Sequence, residues 1–230
     1  MKFKLLPLLL IFFAIVGTRF LPSHKPAITL PTPKIIGGIV PHHLLVKDII
    51  GNFFVNLKAS NIDNIIVIGP NHLELGNSVI TFEPAFRDQS MTALDPFIAS
   101  TYPRSKIIHI VLKHAMSLAE CQELAGQLVE TPGNNLLIAS IDFSHYLSSS
   151  QAEKNDAETY RRIQARDYAN ILKMNSDYLD SPAALVTALM YFDQRGASNM
   201  SLLDNENSGR RGNPFAPTTS YFSMIFYAQN

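Results

Sequence analysis

A single cysteine is all that this 230-residue chain contains. Cys121 alone cannot build an internal disulfide framework or a multi-cysteine zinc or iron–sulfur motif. It sits in SLAECQELAGQL, where helical spacing makes a lone thiol a small core residue. Charge of one sign is also missing, because nineteen basic and nineteen acidic residues cancel. No basic stripe interrupts that balance, which excludes the electrostatic footprint of a nucleic-acid binder. There is no internal repeat and no G-x-S-x-G nucleophile elbow. Apolar residues make up 47% of the chain and charged residues 17%, the composition of a folded globular protein.

The N-terminus reads differently from the rest. Lys2 and Lys4 precede an uncharged apolar run from Leu5 to Val16, the order of a positive n-region and an h-region in an export signal. No A-x-A cleavage site follows it. Residues 1–21 are therefore predicted to be a signal peptide or an N-terminal membrane anchor. That would make the chain exported or membrane-anchored, with its N-terminal segment against the bilayer. Prolines at 22, 26, 31 and 33 predict a stiff linker over residues 22–34, and residues 35–230 form one domain.

Within that domain apolar runs alternate with helical patterns. Strands are predicted at Ile35–Val40, Ile65–Ile68, Val79–Phe82, Lys106–Leu112, Leu136–Ile141, Met200–Leu203 and Ser220–Tyr227. Helices are predicted at Leu45–Ala59, Met91–Ala99, from Ser117 to Glu130, at Ser149–Ala165 with a further helix to Met174, and from Pro182 to Gln194. Ser117 with Glu120 is a capping box, and Ser181 or Asp180 caps the last helix. The charge run KNDAETYRRIQARD is a solvated helix face. Strands alternating with helices predict an α/β fold, a three-layer αβα sandwich with a mostly parallel central sheet.

Three of the apolar runs end on histidine: KIIGGIVPHH at His42 and His43, NIIVIGPNH at His72, and NLLIASIDFSH at His145. In open α/β sheets the ligand crevice lies beyond the carboxyl ends of the strands. Imidazoles delivered there from separate strands predict one shared metal or proton-transfer site. Neutral imidazole suits iron, zinc or copper, and two such ligands leave room for a carboxylate or thiolate and for open positions. Of the neighbours His42 and His43, only one can face that site from an extended backbone. In Asp142-Phe143-Ser144-His145 the carboxylate either orients the imidazole, as base and orienter pairs do, or caps the following turn. A hydrolytic triad drawn from this one segment is weak, because triad members converge from separated segments.

VPHH (40–43), IGPNH (68–72), ASIDFSHY (139–146) and LLDNENSG followed by TTSYFSMIF resemble the Memo-like family, whose bacterial members are called AmmeMemoRadiSam system protein B. The resemblance spans about residues 35–228. It implies an αβα sandwich similar to the class III extradiol ring-cleaving dioxygenases. In those enzymes two histidines and a third ligand hold a non-haem iron, and another histidine serves as acid/base. Carried over, His42 and His72 match the ligand histidines, while Asp142 and His145 match the DFxH motif, with His145 as acid/base. The implied cofactor is Fe(II), with copper or zinc as alternatives, and the implied reaction is a dioxygenase-like oxidation of a small molecule.

Two departures accompany the match. Family members carry Cys or Asp after the NSG tripeptide, but Asn207-Ser208-Gly209 is followed here by Arg210, which cannot ligate a metal. Glu206 is the nearby carboxylate left to serve as third ligand. Where relatives read Glu-His-Ser this chain has Asp88-Gln89-Ser90, and the loop before it, Phe82–Arg87, is shorter. Three readings result: an extradiol-dioxygenase-like oxidoreductase, a metallohydrolase on the same ligands, and a non-catalytic exported domain that binds a protein partner or small ligand.

Overall fold

Four of the apolar runs form the parallel centre of a mixed sheet. They are β1 (Lys34–Val40), β2 (Asn64–Pro70), β4 (Lys106–Leu112) and β5 (Asn135–Ser140), joined side by side in the order β4-β2-β5-β1. A computed structural model of the chain describes residues 33–74, 76, 80–81, 88–212 and 217–228. Antiparallel strands flank the centre. β3 (Ile80–Thr81) pairs with β4, and β8 (Thr218–Ala228) pairs with β1. β6 (His145–Leu147) and β7 (Asn199–Asn207) both pair with β8. The α/β prediction holds, with parallel pairing confined to the centre.

Helices cover both faces because the buried strands alternate side chains between them. On one face Ile66, Ile68 and Leu137 pack with Cys121 and Leu124 of α4 (Leu118–Val129) and Leu189 of α7 (Pro182–Gln194). On the other, Ile65, Val67 and Leu136 meet Ile50, Phe53 and Phe54 of α1 (Lys47–Asn56) and Ile98 of α3 (Asp95–Thr101). Each such side chain contributes roughly 1.5–3 kcal/mol on leaving water. This is the three-layer sandwich. Gly38 permits the close approach of α1, since a Cβ there would lie 2.5 Å from both the Met224 carbonyl oxygen and the Phe53 ring.

The remaining helices are α2 (Gln89–Thr92), α5 (Ser149–Ala165) and α6 (Tyr168–Ile171). Capping chemistry sets several boundaries. Ser117 and Glu120 form the expected reciprocal box before α4, Ser148 caps α5, and the Ser181 hydroxyl accepts from the Ala184 amide at the start of α7. Cys121 is fully buried, and burial pushes its thiol pKa up, as befits a core residue.

One expectation is corrected. Among the described residues no helix is long and apolar enough to cross a membrane. The leader at residues 1–21 lies outside the described residues, as do all but Pro33 and Lys34 of the linker. The prediction of an exported or membrane-anchored chain is therefore withdrawn. Val79, Phe82 and the short loop Phe82–Arg87 also lie outside the described residues.

Candidate metal centre

Parallel strands share one carboxyl edge, and three of them place a polar side chain at the same offset beyond it. β1 ends at Val40, β2 at Pro70 and β5 at Ser140. His42, His72 and Asp142 are each the second residue past those ends. The edge opens into a cleft of about 550 Å³ whose lining includes His42, His72, Gln89, Asp142 and His145.

Hydrogen bonds fix which nitrogen of each ligand-type histidine faces the cleft. Ser140 Oγ donates to the Ser90 carbonyl, so it can only accept from His42 Nδ1, 3.3 Å away. The proton of His42 is thereby held on Nδ1, leaving the Nε2 lone pair toward the cleft. His72 Nδ1 donates to Asp88 Oδ1 at 2.7 Å, and its backbone amide donates to Asp88 Oδ2 at 2.9 Å. Its Nε2 is likewise left as the available lone pair. Partners of this kind on the distal nitrogen are how metal-ligating histidines are oriented.

Both Nε2 atoms converge on a carboxylate that the sequence reading did not select. Asp180 Oδ2 lies 3.4 Å from His42 Nε2 and 3.9 Å from His72 Nε2. One ligand atom from each of His42, His72 and Asp180 lies within 4.8 Å of the others. The imidazole centroids are 5.3 Å apart with an interplanar angle of 77°. Two imidazoles bound at ~2.1 Å with ligand angles between square and tetrahedral hold their centroids roughly 4.6–5.3 Å apart. The geometry fits one ion. Lone pairs on the His42 nitrogen and the Asp180 oxygen face each other across a buried gap, an arrangement that calls for a cation or a proton between them.

Asp180 reaches the cleft through the loop that leads into α7. The Asp180 amide donates to the Asp142 carbonyl at 3.1 Å, and the Asp142 amide donates to Asp180 Oδ2 at 3.2 Å. A bridge between Phe143 and Leu179 locks these two loops together. Because Ser181 takes the capping role, the Asp180 carboxylate is free to turn inward.

Asp142 stands next to this group. Its Oδ1 accepts from the His42 amide at 3.1 Å and its Oδ2 lies 3.6 Å from His42 Nε2. Asp142, His145 and Asp180 form a second group whose ligand atoms are mutually within 4.8 Å. His145 Nδ1 and Asp180 Oδ1 are buried atoms with no hydrogen-bond partner.

Burial and charge set the protonation states. Burial lowers the His42 pKa more than the Asp142 carboxylate raises it, which keeps the ring neutral and ready to ligate. The Asp88 hydrogen bond instead raises His72 above 6.5. Burial works against ionised Asp88, but hydrogen bonds from His72 and Ser90 outweigh it and bring its pKa to about 2. Burial also lowers His145. Asp180 is pushed well up, first by burial and then by the neighbouring Asp142 charge. Two carboxylates, the buried His42 ring, His145 and the more exposed His72 ring, whose side chain is 41% exposed, are the donor set for a divalent metal.

The other predicted site residues lie apart from the first group. His43 Nδ1 is 2.5 Å from the Tyr221 hydroxyl. Glu206 belongs to β7 and to neither ligand group. Its Oε1 accepts from the Asn207 amide at 2.9 Å and lies 3.5 Å from Arg210 Nη1, while Oε2 is 3.9 Å from Arg211 Nε. Arg210 in turn bonds Glu153.

These features define an αβα-sandwich protein with a strand-end His/Asp cluster able to hold a metal ion. No family model matches the chain. Among curated proteins it is 27% identical to a MEMO1 family protein of Caldivirga maquilingensis, aligned over 67% of this chain and 56% of the relative. A MEMO1 family protein of Methanopyrus kandleri is 24% identical, over 71% of this chain and 72% of that one. One from Thermoplasma volcanium is 25% identical, over 83% and 84%. The match thus spans little more than half of the Caldivirga relative's length. These relatives and a fourth of the same name, 22% identical over 83% of this chain, support a Memo-like family assignment.

Proposed function

We propose that this Memo-like protein is a metal-dependent oxidoreductase of the extradiol-dioxygenase type, with His42, His72 and Asp180 as its metal ligands and Fe(II) as the ion. The observation that carries this reading is the convergence of those three side chains within 4.8 Å. Asp180 answers the loss of a ligand residue after the NSG tripeptide, which otherwise favours a degenerate site and a scaffold role. When bound, the metal supplies Lewis acidity and a template for substrate and dioxygen.

The chain's own residues supply orientation and proton transfer. Ser140 and Asp88 hold the two imidazoles in the tautomer that presents Nε2. His145 lines the same cleft, and burial keeps it neutral near pH 7, so its ring can take a proton from a substrate hydroxyl. Asp142 supports the resulting imidazolium through its nearby charge. The cleft has room for a small aromatic diol.

Anaerobic loading of the full chain with Fe(II), followed by oxygen-electrode assays on a catechol series, tests the reading. The expected result is iron bound at the centre and oxygen uptake that His145→Ala abolishes with iron retained. Failure to bind any divalent metal would remove the proposal. Iron binding without oxygen uptake on any diol would remove its oxidoreductase half.

A further inference from the structure

We infer that the cleft has a second cation position, held by Asp142, His145 and Asp180, with the Asp180 carboxylate shared between the two ions. This inference rests on the reading of His42, His72 and Asp180 as a one-ion centre, and extends it.

The geometric basis is the second ligand group, in which one atom from each of Asp142, His145 and Asp180 lies within 4.8 Å of the others. Two further observations point to a ligand there. The Asp180 side chain is only 9% exposed, and its Oδ1 has no hydrogen-bond partner. Its other oxygen already faces His42, His72 and the Asp142 amide. His145 Nδ1 is also buried and unpartnered. Unpaired buried acceptors are costly, and a carboxylate oxygen and an imidazole nitrogen are a natural pair of ligands for one cation. A carboxylate using one oxygen for each ion is the usual bridge of two-metal sites, whose ions stand roughly 3.5–4 Å apart.

The two positions differ in hardness. The first offers two imidazoles and a carboxylate, a set for iron, cobalt or zinc. The second offers two carboxylates and an imidazole, and so favours a harder ion such as Mn(II). Two divalent charges this close repel, so the second ion binds more weakly than the first. Filling the second position makes His145 a ligand and removes it from proton transfer. Excess hard cation therefore switches off any chemistry that needs His145 as a base.

Mn(II) alone, titrated into the full chain, is the probe, read by equilibrium dialysis and low-temperature electron paramagnetic resonance. Wild type is expected to bind two ions, the second at least tenfold more weakly, with an exchange-coupled signal emerging as it fills. His145→Gln and Asp142→Asn are each expected to retain one ion with an uncoupled six-line spectrum. Saturation of wild type at one ion would overturn the second position and leave the one-ion centre standing. No bound ion would overturn both. Wild-type stoichiometry decides the question even where a variant fails to fold.

Discussion

Asp88→Asn separates the orienting role of one buried carboxylate from its structural role. Asp88 accepts four hydrogen bonds, from the His72 amide, the His72 ring, the Ser90 amide and the Ser90 hydroxyl, at 2.9, 2.7, 2.9 and 2.8 Å. An amide has one acceptor oxygen. Whichever way Asn is turned, its NH₂ group meets at least one of these donors, leaving a buried N–H without an acceptor at a cost of roughly 1–3 kcal/mol. An independent route gives a similar size. The fall of the Asp88 pKa from 3.8 to about 2 corresponds to roughly 2 kcal/mol at ~1.36 kcal/mol per pH unit. The two figures describe the same contacts and do not add. The variant is expected to lose about 2 kcal/mol of stability, or roughly 4–8 °C in Tm for a chain of this size.

The pH dependence has a definite sign. A depressed carboxyl pKa contributes stability that is present above its unfolded value and lost as pH falls through the folded one. The difference between wild type and Asp88→Asn in urea unfolding should therefore shrink as pH falls from about 4 towards 2, and should also decline as pH rises past 6.5, where His72, whose pKa Asp88 raises, gives up its proton. Metal affinity, measured by calorimetric titration with Co(II), should fall roughly 10–100-fold, because an orienting partner of a ligand histidine has been removed. A lowered Tm with Co(II) affinity unchanged within about twofold would refute the claim that Asp88 sets the tautomer of His72. It would leave Asp88 as a cap for α2 and nothing more.

Asp180→Asn should weaken Co(II) binding more than about a hundredfold while Glu206→Gln changes it less than about threefold; the reverse ranking in the same titration would restore Glu206 as the third ligand. His72→Ala should cost metal affinity far more than His43→Ala, whose ring is engaged by Tyr221, and equal losses by dialysis would overturn the choice between the histidines. The His72 pKa is raised, so protons begin to compete with metal above pH 6.5, whereas His42 is already neutral there. Co(II) affinity should accordingly start to fall on acidification from above pH 6.5, and a fall that begins only well below 6 would contradict the Asp88 contact as its cause. Gly38→Val would drive a side chain into the Met224 carbonyl and the Phe53 ring, and a loss of at least about 3 kcal/mol in urea unfolding is expected.

Elements whose signal is local were legible in the sequence. β4 at Lys106–Leu112, α5 at Ser149–Ala165 and α7 at Pro182–Gln194 fall where their apolar runs and caps put them. The misses lie where pairing partners are distant in sequence. β6 is three residues long and exists because His145 and Leu147 pair with Thr219 and Thr218. β7 continues past Leu203 through Asp-Asn-Glu-Asn, a run with poor strand propensity, because β8 resumes pairing with it after an irregularity at Leu203. That extension puts Glu206 in a strand rather than in a loop beside the cleft.

The site divides along the same line. His42 and His72 were expected at the sheet edge because an apolar run ending in a polar side chain announces such a position, whereas the third run was read to its histidine, His145, and the residue at the same offset past β5 is Asp142. Asp180 carries no such announcement. In Leu179-Asp180-Ser181-Pro182 it looks like a helix cap, and the sequence alone cannot choose between it and Ser181. The choice is made by the Phe143–Leu179 bridge and by the Asp142 amide, which draw the Asp180 carboxylate inward and leave capping to the serine hydroxyl. A candidate ligand set completed from a helix entry rather than a strand end therefore depends on the tertiary contacts between these two loops. Changes that loosen that bridge should impair the centre while leaving both histidines in place.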